Sequence, residues 1–66
     1  MGRKRIGGFV FVTYAGDHPP YHVHIYEKEI YIGRFDIEHQ RPMDKFELTM
    51  KLRKALQKAG YLLGEL

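Results

Sequence analysis

The segment Tyr21-His22-Val23-His24-Ile25-Tyr26-Glu27 alternates two chemistries residue by residue. His22, His24 and Tyr26 fall on one side and Val23 and Ile25 on the other, which is the period of a half-buried β-strand. Two residues of strand advance roughly 6.6 Å, so the two imidazoles become neighbours on one face. Immediately upstream stands Gly16-Asp17-His18-Pro19-Pro20. The two prolines fix their own φ angles and hold His18 extended, and Gly16-Asp17 suits an Asx-type turn. Three of the chain's four histidines thus gather within seven residues, beside Asp17 and at the mouth of a strand.

On either side of this segment the pattern is sheet. Phe9 to Tyr14 is β-branched and aromatic, apolar on both faces, and reads as a central strand. Glu27-Lys28-Glu29 makes a tight turn, and Ile30 to Asp36 forms the next strand, with Gly33 as the mark of a bulge. This reading sets Ile30 and Ile32 on one face and Tyr31 and Phe35 on the other. Upstream, Met1 to Arg5 reads as a loose basic arm, and Gly7-Gly8 as a bend. Downstream, after a polar link from Glu38 to Pro42, Asp44 suits an N-cap with Glu47 at the third helical position and Met43 stapled onto Leu48. Leu48, Leu52, Ala55, Leu56 and Ala59 recur at helical spacing, so the pattern predicts a helix from Lys45 to Ala59, closed by Gly60. The tail from Tyr61 to Leu66 is apolar enough to pack on the sheet or on another chain. The expected architecture is α+β: a three-stranded antiparallel β-meander with one C-terminal helix packed across one face, in a single domain spanning residues 1–66.

Composition narrows the classes of function. With 66 residues and no cysteine, disulfides and thiolate metal sites are excluded. A chain of this size buries only about 60% of the surface it exposes unfolded, which leaves self-association or a histidine-bound metal as extra stabilisation. No apolar run approaches a membrane span, so a cytoplasmic protein with no membrane partner is expected. The net charge of +3 is unevenly spread. Residues 1–16 hold three bases and no acids, residues 17–44 three bases and six acids, and residues 45–66 five bases and two acids.

The histidine stretch admits three chemistries. A divalent metal such as zinc would be held by His18, His22 and His24, with Asp17 or Glu27 as an additional group. Without metal, the same three imidazoles can divide general-acid and general-base roles. The third chemistry is stacking and hydrogen bonding to RNA on the face that carries Tyr26, Tyr31 and Phe35, with Asp17 and Arg34 as further binding groups. Lys51, Lys54 and Lys58 line the outer side of the helix and add candidate phosphate contacts. They also complement the helix dipole, and Glu47 can pair with Lys51. A mixed aromatic face of this kind equally suits a homodimer contact.

The stretch Asp17-His18-Pro19-Pro20-Tyr21-His22-Val23-His24-Ile25 resembles the signature of a bacterial family known only as domain of unknown function 4160. Such proteins carry a Gly-rich aromatic strand, this motif, a second hairpin strand and a helix. The likeness covers residues 6–60, and its signature positions fall on Asp17, His18, Pro20, His22 and His24. It implies a component of a small toxin–antitoxin-type gene pair, with a cognate antitoxin or other neighbouring-gene protein as partner. Leu52-Arg53-Lys54-Ala55-Leu56-Gln57-Lys58-Ala59-Gly60-Tyr61 is similar to the closing helix of HicA-type messenger-RNA interferases. The glycine-serine-histidine triplet of those toxins is absent, and no catalytic residue carries over.

Overall fold

The computed structural model describes residues 2–64, and in it the sheet has five strands rather than three. The first is β1, Gly2–Ile6, where a loose arm was expected. Gly7 and Gly8, at φ 58° and 86°, form a two-residue loop that pairs Ile6 with Phe9 of β2, Phe9–Thr13. Positive φ at both central residues is what a tight hairpin turn needs, and glycine adopts it without steric cost. Contacts with the end of the helix then hold β1 in place. Lys4 faces the core side opposite Phe11, its Nζ donates to the Ala59 carbonyl at 2.7 Å, and it lies 4.9 Å from the centre of the Tyr61 ring. Arg3 and Arg5 consequently point to the other face.

β3 (His22–Glu27) pairs antiparallel with β2, and β4 (Ile30–Asp36) pairs with β3. Their turn, Lys28-Glu29, takes positive φ at both residues without a glycine. A two-residue β5, Arg41–Pro42, closes the far edge, so the order is β1-β2-β3-β4-β5 throughout. The expected irregularity at Gly33 is present. Ile25 pairs with Gly33 and Tyr26 with Tyr31, leaving Ile32 without a partner. One extra residue reverses the parity of everything beyond it. Phe35, expected beside the histidines, therefore lies opposite Val23 and is wholly buried, while Tyr31 stays on the outer face and Ile30 is exposed.

The helix is shorter than its apolar repeat. α1 spans Met50–Ala59 and is capped by Thr49, whose Oγ1 accepts from the Leu52 N–H at 3.2 Å. Asp44 does not cap it. Its Oδ2 instead accepts from the Arg34 N–H at 2.9 Å and Nε at 3.1 Å, and its Oδ1 from Nη2 at 2.9 Å. Two parallel bonds from a guanidinium plus one from the backbone outweigh a single capping bond. The C-terminal end follows expectation: Gly60 is left-handed, and the N–H groups of Tyr61 and Leu62 return to the Leu56 carbonyl at 2.9 and 3.2 Å. Leu52, Ala55, Leu56 and Ala59 bury against Phe9, Phe11, Val23, Ile25 and Phe35. Tyr61 and Leu62 join that core, while Gln40 bonds the Tyr61 carbonyl and the Leu63 N–H. The expected apolar tail beyond Gly64 lies outside the described residues. Among the described residues no helix is long and apolar enough to cross a membrane.

Two outcomes test this account. A Cβ on Gly33 would sit 2.8 Å from Phe46 Cδ2 and 3.3 Å from Asp44 Cβ, at a φ of 152°. Gly33→Ala should therefore cost about 1–3 kcal/mol in urea unfolding, through overpacking and backbone strain. The Arg34 bonds hold the Asp44 carboxyl below its ordinary value of 3.8, against an opposing effect of burial. A carboxyl lowered by folding contributes stability above its unfolded value, and that contribution is lost as pH falls through the lower folded value. Asp44→Asn should cost about 1–2 kcal/mol at neutral pH, discounted for partial exposure, and its deficit in Tm should shrink as pH drops below 3.8.

Candidate metal centre

His22, His24 and Tyr26 share the sheet face opposite the helix, as the alternation requires, and the register sets His24 between Val12 and Arg34. The start of β3 is held by backbone bonds: the Ile37 and Glu38 N–H groups both donate to the Tyr21 carbonyl, at 3.0 and 3.3 Å. Asp17 arrives from the connector between β2 and β3, where its N–H closes a turn on the Tyr14 carbonyl at 3.3 Å. The Pro19–Pro20 peptide downstream of it is cis.

One carboxylate oxygen meets both imidazoles. Asp17 Oδ2 lies 3.2 Å from His22 Nε2 and 3.1 Å from His24 Nε2. The rings themselves stand 5.1 Å apart at 65°. Ligand atoms of all three residues fall within 4.8 Å of one another, close enough to hold a metal ion. His22 is 6% exposed, whereas the side chains of His24 and Asp17 retain 18% and 32%, so the cluster has a buried floor and an open mouth.

The ring nitrogens facing away from Asp17 are also engaged. His22 Nδ1 lies 2.7 Å from the Pro20 carbonyl, which can only accept, so Nδ1 carries a proton. In a neutral imidazole Nε2 then bears the lone pair, and that lone pair points at an acceptor, the Asp17 carboxylate. Only a positive charge between them, a proton or a metal ion, makes this contact favourable. His24 Nδ1 lies 3.3 Å from the Tyr31 hydroxyl, which can give or take a hydrogen bond. Burial, reinforced by the charge of Asp44, pushes the Tyr31 hydroxyl above its ordinary value and keeps it neutral.

The other expected site residues are dispersed. His18 is outside the group; it lies exposed on the rim of a cavity of about 390 Å³ shared with Asp17, Tyr21, His22 and Glu38. Asp17 takes the place expected for His18. Arg34 is on the same sheet face as the histidines but is bound by Asp44. Lys51, Lys54 and Lys58 are exposed on α1, which covers the opposite face of the sheet. Tyr26 lies beside Tyr31, with ring centres 5.1 Å apart.

A second histidine–aspartate pair was not expected. His39 donates its backbone N–H to Asp36 Oδ1 at 2.9 Å and its Nδ1 lies 2.8 Å from Oδ2. Burial raises the Asp36 carboxyl, but these two bonds and the nearby charges outweigh it and bring the group below its ordinary value. Arg3, Arg5 and Tyr14 were also missed. The signal that would have found the two arginines is the Gly7-Gly8 pair between Ile6 and Phe9, a two-residue hairpin signature that turns the basic arm into a strand. Compared with known protein families, curated proteins and solved structures, the chain matches none of them.

Proposed function

We propose that the protein is a metal-binding domain that holds a divalent ion such as zinc through Asp17, His22 and His24. The observation that carries this reading is the convergence of two Nε2 atoms on one carboxylate oxygen while the buried ring is fixed from behind. Donor atoms about 2.1 Å from a tetrahedral ion stand about 3.4 Å from each other, and the two Asp17–histidine edges here are 3.1 and 3.2 Å. The Pro20 carbonyl on His22 and the Tyr31 hydroxyl on His24 are the outer partners that such ligands use to fix ring orientation. Three protein ligands leave a fourth position for water or substrate, and an ion there supplies Lewis-acid chemistry. His18, adjacent in the chain to Asp17, lines the cavity that Asp17 and His22 share.

One observation favours a second reading. Two imidazoles 5.1 Å apart and joined through one carboxylate also suit paired general acid and base. In that reading the protein is a toxin–antitoxin-type component that cleaves RNA without metal, with His22 and His24 reactive and a cognate antitoxin as partner. Degradation of cellular RNA that persists in EDTA and disappears in His24→Ala would select it over the metal centre.

Zinc or cobalt titration of the purified protein tests the metal reading, followed by calorimetry and by the histidine ring resonances. Tight 1:1 binding should shift His22 and His24. Asp17→Ala and His24→Ala should each weaken it by at least about 100-fold, and Tyr31→Phe by about tenfold. His18→Ala should change it by less than about tenfold, below the roughly 10–100-fold cost of losing an outer partner, since His18 lies outside the ligand group. His22→Gln, checked for an intact fold by circular dichroism, replaces the riskier alanine at a buried position. Absence of any ring shift at millimolar zinc, or equal loss in His18→Ala and His24→Ala, would overturn the assignment.

A further inference from the structure

On the outer face of the sheet, next to the histidines, β1, β2 and β3 enclose a groove of about 670 Å³. Its floor is Val10 and Val12, both half-buried, and Tyr14 and Tyr26 form its aromatic side. Arg3, Arg5 and Lys28 supply three positive charges along it, against one carboxylate, Glu29. Arg3 and Arg5 stand two residues apart on a strand, so they repeat at roughly 6.7 Å along one edge. Neither forms an ion pair among the described residues, unlike Arg34.

The aromatic side continues past the groove. Tyr14 meets His24 edge-on at 5.0 Å, His24 lies 6.2 Å from Tyr31, and Tyr31 lies 5.1 Å from Tyr26. A row of rings thus runs from the cationic groove to the Asp17–His22–His24 cluster. The helix α1 does not cover it, because it packs on the other face.

We propose that this groove binds single-stranded RNA, with bases stacked on Tyr14 and Tyr26 and phosphates held by Arg3, Arg5 and Lys28. Flat rings interleaved with cationic side chains are the combination that single strands require, since every base has a π-face and every linkage a charge. The tyrosine hydroxyls and the Glu29 carboxylate can engage a 2′-hydroxyl, which is both donor and acceptor. A second copy of the chain fits less well. A two-fold contact would lay the same surface on itself and draw like-charged arginines and lysines together around a small apolar floor. The inference does not depend on the metal reading. A strand in the groove would run towards the cluster, but its binding requires no ion there.

Fluorescence anisotropy on EDTA-treated protein, with labelled 12-nucleotide RNA and DNA of the same mixed sequence, separates the outcomes and keeps metal out of them. Three phosphate contacts predict a log–log salt slope near −2, or about 20-fold weaker binding at 200 mM than at 50 mM salt. Arg3→Gln with Arg5→Gln should flatten the slope by about 1.4. Tyr26→Ala should weaken binding about tenfold, with Tyr26→Phe retaining it. Lys51→Gln with Lys54→Gln and Lys58→Gln, on the opposite face, should leave affinity within about twofold. The proposal fails if RNA does not bind at 50 mM salt, if DNA binds equally, or if the helix lysines rather than the arginines carry the affinity. It also fails if sedimentation reveals a dimer that the Arg3 and Arg5 substitutions dissociate.

Discussion

A single unpaired residue, Ile32, decides what each face of this sheet is made of. Before it, β4 sets Tyr31 opposite Tyr26 on the outer side; after it, Phe35 turns inward opposite Val23. Without the bulge, Tyr31 and Phe35 would share a face, so either an aromatic ring would leave the core or a hydroxyl would leave His24. Gly33 is what allows the irregularity, because the same position admits the close passage of Phe46 and Asp44 over the sheet. Asp44 then fastens Arg34 beside the histidines. Core packing, the support behind His24 and the route of the chain into α1 all follow from one extra residue in one strand.

The strands nearest the histidines were readable because alternation is a local property. Three strands with nearly their observed limits, the bulge at Gly33 and the Gly60 cap all follow from spacing and residue type. What escaped the sequence was competition between partners. Asp44 has every feature of an N-cap, yet Arg34, 10 residues upstream, offers three bonds, two from its guanidinium and one from its backbone N–H, where the helix offers one, so α1 begins at Met50 instead of Lys45. Likewise Arg3-Lys4-Arg5 has no strand-like composition. Its strand is imposed by β2, by the glycine turn and by the reach of Lys4 to the end of the helix. For Phe35 the deciding factor is parity: one unpaired residue before it reverses the face that simple alternation assigns.

The site was legible as a stretch but not as a set. His22 and His24 belong together by strand period alone. Which third group completes them depends on how the connector folds, and periodicity has no bearing on a segment of Gly, Asp and Pro. The turn closed on Tyr14 brings Asp17 inward and leaves His18 on the rim. Arg3 and Arg5 reach the neighbouring groove only because the first segment is a strand, and nothing in their own residue types calls for one.

The two margins of the sheet have a further consequence. Phe9 to Thr13 is an uninterrupted β-forming run, Phe-Val-Phe-Val-Thr, of the kind that recruits other chains when its edge is bare. β1 occupies that edge and presents three consecutive bases in its place, and the opposite margin ends in a two-residue strand closed by Pro42. Charge and proline are how open sheets resist edge-to-edge growth into fibrils. The same arginines that face the groove thus also act as gatekeepers, and their surface placement protects the chain from its own most aggregation-prone segment.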